Sequence, residues 1–121
     1  MVRNKLENYL KTIYQLQTDG SVQGKTLAEK LNVSRPTVSL TLRTLEEDGY
    51  LYKWHDRSVS LTPKGRAAAE AVLGRYSRLY DLLVQLGVEE ETAAQDACHM
   101  EHTISEQSLN ALTGLYSEED T

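Results

Sequence analysis

The spacing of apolar residues divides the chain into helices joined by short turns. From residue 5 to residue 17, Leu6, Leu10 and Ile13 recur at helical spacing, which predicts a helix with one apolar stripe. From residue 26 to residue 66, the pattern changes to a helix, a tight turn, a second helix and a β-hairpin without a break. This order of elements predicts a winged helix-turn-helix, a module that reads DNA.

The second helix of this module has a well-specified start and two distinct faces. The hydroxyl of Ser34 can cap its first turn, and Val38 and Leu45 fall on its buried face with Leu42. The outer side, which includes Leu40, is left to meet a DNA major groove. We expect base contacts at the amino-terminal end of the helix and phosphate contacts further along. The residues concerned are Ser34, Arg35, Pro36, Thr37, Ser39 and Arg43.

The β-hairpin is predicted to be the wing. Gly49 ends the preceding helix, and residues 50–54 and 58–61 carry residues that favour strands. Between them lies the short turn His55-Asp56-Arg57, whose last residue places a cation at the tip. We expect Arg57 to contact DNA phosphate.

A long helix is predicted after the hairpin. Thr62 can cap it, Pro63 fits its first position, and Gly87 marks its end. Apolar residues recur along it at spacings of three and four, as in a helix packed lengthwise against others. The predicted fold class is mainly α, with a winged-helix domain over residues 1–66. Residues 67–121 would hold the linking helix and a helical dimerisation and metal-binding domain.

Two more helices follow, and their apolar faces predict a partner subunit. Residues 88–91 place acids in the first turn of one helix, and Ser105 can cap the other. The apolar residues of these helices form a face too large for a chain end to leave exposed. We expect a homodimer interface made by Ala93, Ala97, Leu109, Leu112 and Tyr116.

Charge is unevenly divided along the chain. All 13 Lys and Arg residues lie at or before Arg78, where eight acids oppose them, whereas ten acids and no Lys or Arg follow. The net charge of −5 therefore hides a basic first half that could hold phosphate. Acidic segments also occur in proteins that they merely keep soluble. Together with the winged-helix pattern, the division favours DNA binding.

Several function classes do not fit the sequence. A chain of 121 residues with 40% hydrophobic content has no room for a separate catalytic domain. Gly24-Lys25-Thr26 lacks the preceding glycine of a phosphate-binding loop, and Cys98 with His102 lacks a third group that would make a thiol hydrolase. There is no apolar run of about 18 residues and no secretory segment at the start. We therefore expect a cytoplasmic protein that is neither an enzyme nor bound to a membrane.

The single cysteine lies in a second group of reactive side chains. Cys98 could be a packed core residue, a metal ligand or a redox-active thiol. On a helix, Cys98, Glu101 and His102 occupy positions i, i+3 and i+4 and project from one side. Thiolate, carboxylate and imidazole together suit Fe(II), Co(II) or Zn(II) better than Mg(II) or Ca(II). The same spacing also occurs on solvated helix faces, so the alternatives stay open.

Four segments, in this order, give the chain a specific resemblance: ENYLKTIYQL, LNVSRPTVSLTLRTLEEDGYL, DRSVSLTPKGR and DACHMEH. Across nearly its whole length the chain resembles the diphtheria toxin repressor family of metal-dependent transcriptional repressors, in its short two-domain form. The resemblance implies a winged-helix domain, a long connecting helix, and a helical domain that dimerises and binds metal. In that family the metal ties the amino-terminal helix to the dimerisation helix and so spaces the DNA-reading domains.

The resemblance also implies a set of metal ligands. The family's primary site falls on Asn8, Cys98, Glu101 and His102 of this chain. Iron-type members have methionine at the position of Asn8, whereas manganese-type members have aspartate there and an acid at the position of Lys11. Lys11 cannot coordinate while charged, which disfavours Mn(II). The thiolate and imidazole of Cys98 and His102 favour Fe(II), so Fe(II) is the expected metal, with Mn(II) and Zn(II) as alternatives. The family's ancillary site looks absent, because its positions hold Tyr76, Tyr80 and Ala94.

These observations predict a metal-responsive DNA-binding regulator. It would repress metal-uptake genes and bind a partly palindromic operator in double-stranded DNA as a homodimer. The alternative is a regulator of the same fold that is metal-independent or responds to oxidation through Cys98. Metal titration followed by DNA binding would separate the two.

Overall fold

The computed structural model describes the backbone of residues 2–17 and 20–120 and the side chains of residues 5–17 and 20–114. Over these residues the chain is mainly helical, as predicted, with one small antiparallel sheet. No helix in the described part is long and apolar enough to cross a membrane. The elements are α1 (Val2–Leu16), α2 (Gly24–Leu31), α3 (Arg35–Glu47), β1 (Leu51–Lys53), β2 (Val59–Leu61), α4 (Pro63–Gln85), α5 (Glu90–Met100) and α6 (Glu106–Asp120).

Three hydroxyl groups set the starts of α3, α4 and α6. The side chains of Ser34, Thr62 and Ser105 each accept a hydrogen bond from the amide three residues later, at 3.3, 3.1 and 3.0 Å. Each bond satisfies an amide that has no partner within the helix. All three predicted caps are confirmed. The turn before α3 passes through Asn32, whose φ of 56° lies in the left-handed region that asparagine tolerates.

The chain divides into two compact units, Met1–Glu70 and Ala71–Thr121, and α4 runs through the division. The predicted division followed Arg66. In the first unit, α1, α2, α3 and the sheet surround one apolar core. Ile13 of α1, Leu27 of α2 and Leu45 of α3 are each fully buried there. Full burial of such side chains stabilises the fold by about 1.5–3 kcal/mol each.

The wing is attached to this core through β2. The strands pair antiparallel, with Leu51 opposite Leu61 and Lys53 opposite Val59. Val59 is also paired with Val22, because each amide donates to the other's carbonyl oxygen, at 2.7 and 2.8 Å. Both valine side chains are buried. These contacts hold the hairpin in a fixed position within the unit that contains α3.

The second unit has a separate small core. Leu79 of α4, Ala97 of α5 and Leu109 of α6 are buried together. Four half-buried side chains pack around them: Tyr76, Tyr80, Met100 and Ile104. The three helices therefore share one apolar cluster, in which the small side chain of Ala97 allows close approach.

A pair of glycines in α4 gives a test of how the start of this helix packs in the first unit. A Cβ at Gly65 would overlap the carbonyl oxygen of Tyr50, whereas a Cβ at Gly74 would meet nothing within 4 Å. We expect Gly65→Ala to lower the free energy of unfolding by about 1–3 kcal/mol, as overpacking does. Gly74→Ala is the matched control and should raise it by about 0.5–1 kcal/mol. Urea denaturation measures both changes, and equal effects would contradict the packing at Tyr50.

Candidate nucleic-acid interface and metal centre

A groove of about 590 Å³ lies between α3 and the wing of the first unit. The apolar residues Val38, Leu42 and Val59 line it together with charged residues. Two acids, Glu46 and Asp56, are outnumbered there by basic side chains. The basic residues that line the groove are Lys25, Arg35, Arg43, Lys53 and Arg57. A groove with this balance attracts a polyanion.

The exposed side of α3 carries the predicted base-reading residues. Its inner side buries Val38, Thr41 and Leu45, which turns the opposite side to solvent. At the helix start, the hydroxyl groups of Ser34 and Thr37 lie 2.8 Å apart and hydrogen-bond to each other. Thr37 is half-buried, and the other predicted contact residues on the helix are exposed: Ser34, Arg35, Pro36, Ser39 and Arg43.

The wing tip holds Arg57 in an unfavourable backbone conformation. Its φ is 71°, in the left-handed region where a residue with a Cβ is strained. The tight turn is closed by the Arg57 amide, which donates to the Trp54 carbonyl oxygen at 2.9 Å. Glycine or asparagine would fit this position with less strain. The arginine keeps an exposed cation at the edge of the groove instead.

Asp56 also stabilises this turn. Its Oδ1 accepts hydrogen bonds from the Ser58 hydroxyl at 2.6 Å and from the Ser58 amide at 3.0 Å. These bonds hold the pKa of Asp56 below its ordinary value of 3.8. Their contribution to the hairpin is therefore present at neutral pH and is lost as the pH falls through the lowered pKa. Asp56, the second acid of the groove, therefore stabilises the turn of the wing.

Sequence reasoning missed two of the five groove cations, Lys25 and Lys53. Lys25 lies in the first turn of α2, and only the packing of α2 against α3 brings it to the groove. Lys53 could have been found, because it is the last residue of β1 and precedes the wing turn. A basic residue next to a predicted wing tip was the available signal.

Two of the predicted metal ligands are in contact. The Nε2 atom of His102 lies 3.3 Å from Oε1 of Glu101, and Glu101 is fully buried. Cys98 is half-buried on α5. Within the described ranges, no three or more His, Cys, Asp and Glu side chains are arranged to hold a metal ion. Glu101 and His102 are thus adjacent, and the ligand set of Cys98, Glu101 and His102 stays a prediction.

α5 ends among the three predicted ligands that lie in the second unit. The prediction placed Cys98, Glu101 and His102 on one continuous helix, but α5 ends at Met100 and Glu101 is its C-cap. The chain then tightens, since the Thr103 amide donates to the Met100 carbonyl oxygen at 3.0 Å. His102 therefore lies in the turn that follows α5.

A buried arginine holds this turn. The Nε of Arg75 donates to the carbonyl oxygen of Glu101 at 2.7 Å, and the Arg75 side chain is buried. On the solvent side, Glu106 lies 4.0 Å from Arg75 and 3.5 Å from Arg78. Arg78 also donates to the side chain of Asn110. The backbone that carries the Glu101 carboxylate is thus fixed by α4.

The fourth predicted ligand, Asn8, belongs to the first unit. It is half-buried on α1, and its carbonyl oxygen accepts a hydrogen bond from the Thr12 hydroxyl at 2.8 Å. That bond is made by the backbone carbonyl of Asn8 and does not involve its side-chain amide. In donor chemistry the set of amide, thiol, carboxylate and imidazole fits a divalent transition ion.

The predicted ancillary positions hold an aromatic pair. The rings of Tyr76 and Tyr80 stack with centroids 6.1 Å apart and planes 17° apart. Burial raises the pKa of the Tyr80 phenol, and the carboxylate of Glu90 raises it further. Tyr80 therefore stays protonated at neutral pH and is a poor metal ligand.

The structure changes the basis of the predicted dimer interface. Ala93, Ala97 and Leu109 are fully buried within the single chain, so a partner is not needed to cover them. Leu112 is 45% exposed. The side chain of Tyr116 lies outside the described residues. Among the predicted interface side chains that are described, Leu112 is the one that offers apolar surface to a partner.

Comparison with known proteins identifies the family. Residues 1–59 match the iron dependent repressor N-terminal DNA binding domain, and residues 62–118 match the iron dependent repressor metal binding and dimerisation domain. The chain belongs to the iron dependent repressor family. The resemblance drawn from its sequence segments is thereby confirmed.

Relatives and solved structures extend this family assignment. The chain is 39% identical to the diphtheria toxin repressor of Corynebacterium efficiens over 103 residues, 84% of this chain and 45% of the relative. It is 42% identical to the iron-dependent repressor IdeR of Mycobacterium tuberculosis over 102 residues, 83% of this chain and 44% of the relative. It spans less than half the length of these curated relatives.

Among solved structures, a manganese-dependent transcriptional repressor in complex with manganese matches with a TM-score of 0.77 and 34% identity. The match covers 90% of this chain and 52% of that one. ScaR with bound Zn²⁺ also matches with a TM-score of 0.77, at 30% identity over 93% of this chain and 53% of that one. The fold predicted for this chain is therefore that of the iron dependent repressor family.

The strained backbone at Arg57 leads to a testable prediction. Arg57→Gly removes both the cation and the strain at a φ of 71°. We expect DNA affinity to fall similarly for all sequences, and the slope of log affinity against log salt to decrease by about one unit.

Arg57→Ala is the matched control for this change. It removes the same charge but keeps a Cβ, so Arg57→Gly should be up to about 1 kcal/mol more stable than Arg57→Ala. Thermal unfolding and fluorescence anisotropy with labelled duplexes measure the two properties. A loss confined to one DNA sequence would mean that Arg57 reads bases.

Proposed function

We propose that this chain is a metal-responsive transcriptional repressor that binds operator DNA as a homodimer. The observation that carries the proposal is the groove between α3 and the wing, which is lined by five cations. In this role the chain binds DNA in the cytoplasm and carries out no catalysis. The genes it controls would be those for metal uptake.

The groove supports two kinds of DNA contact. Arg43 on α3 and Arg57 on the wing flank it and would bind phosphates, which fixes the protein's position on the duplex. Thr37 and Ser39, at the amino-terminal end of α3 with Ser34 and Pro36, would approach base edges in the major groove. Phosphate contacts give affinity and base contacts give sequence preference.

The metal would be held by Asn8, Cys98, Glu101 and His102. A bound ion would link α1 of the first unit to α5 of the second, and would favour DNA binding as far as it prefers the DNA-competent conformation. The buried Glu101 carboxylate beside His102 supports this assignment. The thiol of Cys98 and the imidazole favour Fe(II), and relatives named for iron, manganese and zinc keep Mn(II) and Zn(II) as alternatives.

Metal titration tests the proposal directly. We expect Fe(II), added without oxygen, to tighten binding of operator DNA by about 1–3 kcal/mol of coupling free energy. Cys98→Ala and His102→Ala should keep the weak metal-free DNA binding and lose the enhancement. Fluorescence anisotropy of labelled DNA measures both, and repeating the titration with Mn(II) and Zn(II) ranks the metals.

His99→Ala is the matched control for these variants. His99 is exposed on the same helix, and its Nδ1 lies 2.9 Å from the carbonyl oxygen of Gln95. This variant should keep the full metal response. If Cys98→Ala and His102→Ala also keep it, the metal site lies elsewhere.

A second candidate keeps the DNA groove and replaces the metal with thiol chemistry. It is favoured by the half-buried position of Cys98, which leaves part of this residue open to solvent. In this form the protein would bind its operator tightly without metal, and oxidation of Cys98 would change that affinity. A wild-type protein with no metal response but tight operator binding would establish this candidate.

The proposed homodimer has its own test. Leu112 on α6 is 45% exposed and is the described apolar residue available to a partner there. We expect Leu112→Asp to give a folded monomer that binds DNA weakly, since it loses the second half-site. Tyr52→Asp, which alters a similarly exposed apolar residue of the wing, should stay dimeric. Sedimentation velocity distinguishes the two, and a dimeric Leu112→Asp would move the interface away from α6.

A further inference from the structure

One apolar side chain stands out on the DNA-facing side of α3. Leu40 is 64% exposed, more than any other large hydrophobic side chain in the described part of the chain. Isolated exposed leucines are ordinary on protein surfaces. Leu40 differs because it lies in the middle of the helix whose outer side forms the proposed base-reading surface.

The helix geometry places Leu40 well away from the core. Successive residues turn by about 100° around a helix, so Leu40 lies about 160° from the buried Val38 and about 140° from the buried Leu45. Its neighbours one turn away on the outer side are Pro36 and Arg43. Leu40 therefore projects from the same side as the proposed DNA contacts.

The groups around Leu40 favour a DNA partner over an apolar protein partner. Arg43 lies one turn away, and the neighbouring groove adds four more cations. The hydroxyl of Thr44, at the next turn, donates to the carbonyl oxygen of Leu40 at 3.2 Å, so it is already occupied by the backbone. The leucine thus supplies an apolar contact within a positively charged face.

A major groove offers an apolar side chain one distinctive target. Hydrogen-bond donors and acceptors line its floor, and the 5-methyl group of thymine is the apolar group exposed there. Leu40 has no donor or acceptor in its side chain, so it cannot read bases by hydrogen bonding. Contact with a methyl group removes apolar surface of both partners from water.

We propose that Leu40 is a specificity-determining residue that selects thymine through contact with its 5-methyl group. This inference rests on the proposed DNA-binding function. Because a two-fold dimer places two copies of α3 on the operator, the selected thymine would occur once in each half-site.

The test removes the methyl group and the leucine separately. Binding sites are first selected from random duplexes with the wild-type protein. Each thymine is then replaced singly by deoxyuridine, which lacks only the methyl group. We expect one thymine in each half-site at which the replacement weakens binding by about threefold to fivefold. Leu40→Ala should weaken the unmodified site similarly and show no further loss with deoxyuridine there.

Leu86→Ala is the matched control. Leu86 lies just beyond the end of α4 and is 60% exposed, so the same truncation is made outside the DNA-binding unit. It should keep wild-type affinity and the full sensitivity to deoxyuridine. Leu40→Gln offers a second check, because glutamine pairs with adenine edges and should shift the preferred base from thymine to adenine.

The outcomes separate this inference from the function on which it rests. If no duplex is selected by the wild-type protein with or without metal, the proposed function fails. If a site is selected but no deoxyuridine replacement weakens it, or if Leu40→Ala stays sensitive, only the role of Leu40 is overturned. A change of oligomeric state in Leu40→Ala with unchanged DNA binding would likewise overturn it and indicate a protein contact.

Discussion

The burial of one side of α3 is the constraint on which the proposed DNA-reading surface depends. Val38, Thr41 and Leu45 are held in the core of the first unit, and rotating the helix would expose them. Loss of the fully buried Leu45 alone would cost about 2–5 kcal/mol. The core therefore fixes which side chains face outward, including Ser39, and through the cap at Ser34 it also fixes where the helix begins.

The wing depends on the same core. Val59 contributes to it while its backbone pairs with Val22, and the turn beyond is closed by the Asp56 and Arg57 contacts. Strain at Arg57 persists because the surrounding bonds determine the turn, as is common at functional positions. The cations proposed to bind phosphate are thus carried on rigid elements, which would lower the entropy lost on DNA binding.

The sequence predicted the elements of the first unit well, because its signals there are local. Ser34 and Thr62 cap helices in a way that depends on residues within one turn, and both predictions are confirmed. The contribution of Lys25 to the groove was missed because it depends on how α2 packs against α3. Likewise, the spacing from Cys98 to His102 assumed one continuous helix, whereas α5 ends at Met100 and His102 follows it in a turn. Local rules predict an element, whereas convergence of side chains depends on where that element stops.

The salt dependence of DNA binding is the sharpest test of whether the groove between α3 and the wing binds DNA. If the groove between α3 and the wing binds phosphates through its five cations, the logarithm of affinity should fall linearly with the logarithm of salt concentration. Counted per protomer of the proposed dimer, the slope should be about −4 or steeper, since each neutralised phosphate contributes about −0.9. Replacing Lys25 and Lys53 with glutamine should make it shallower by about two units. A slope near zero, or one unchanged by those two substitutions, would contradict the assignment of the groove as the DNA-binding surface.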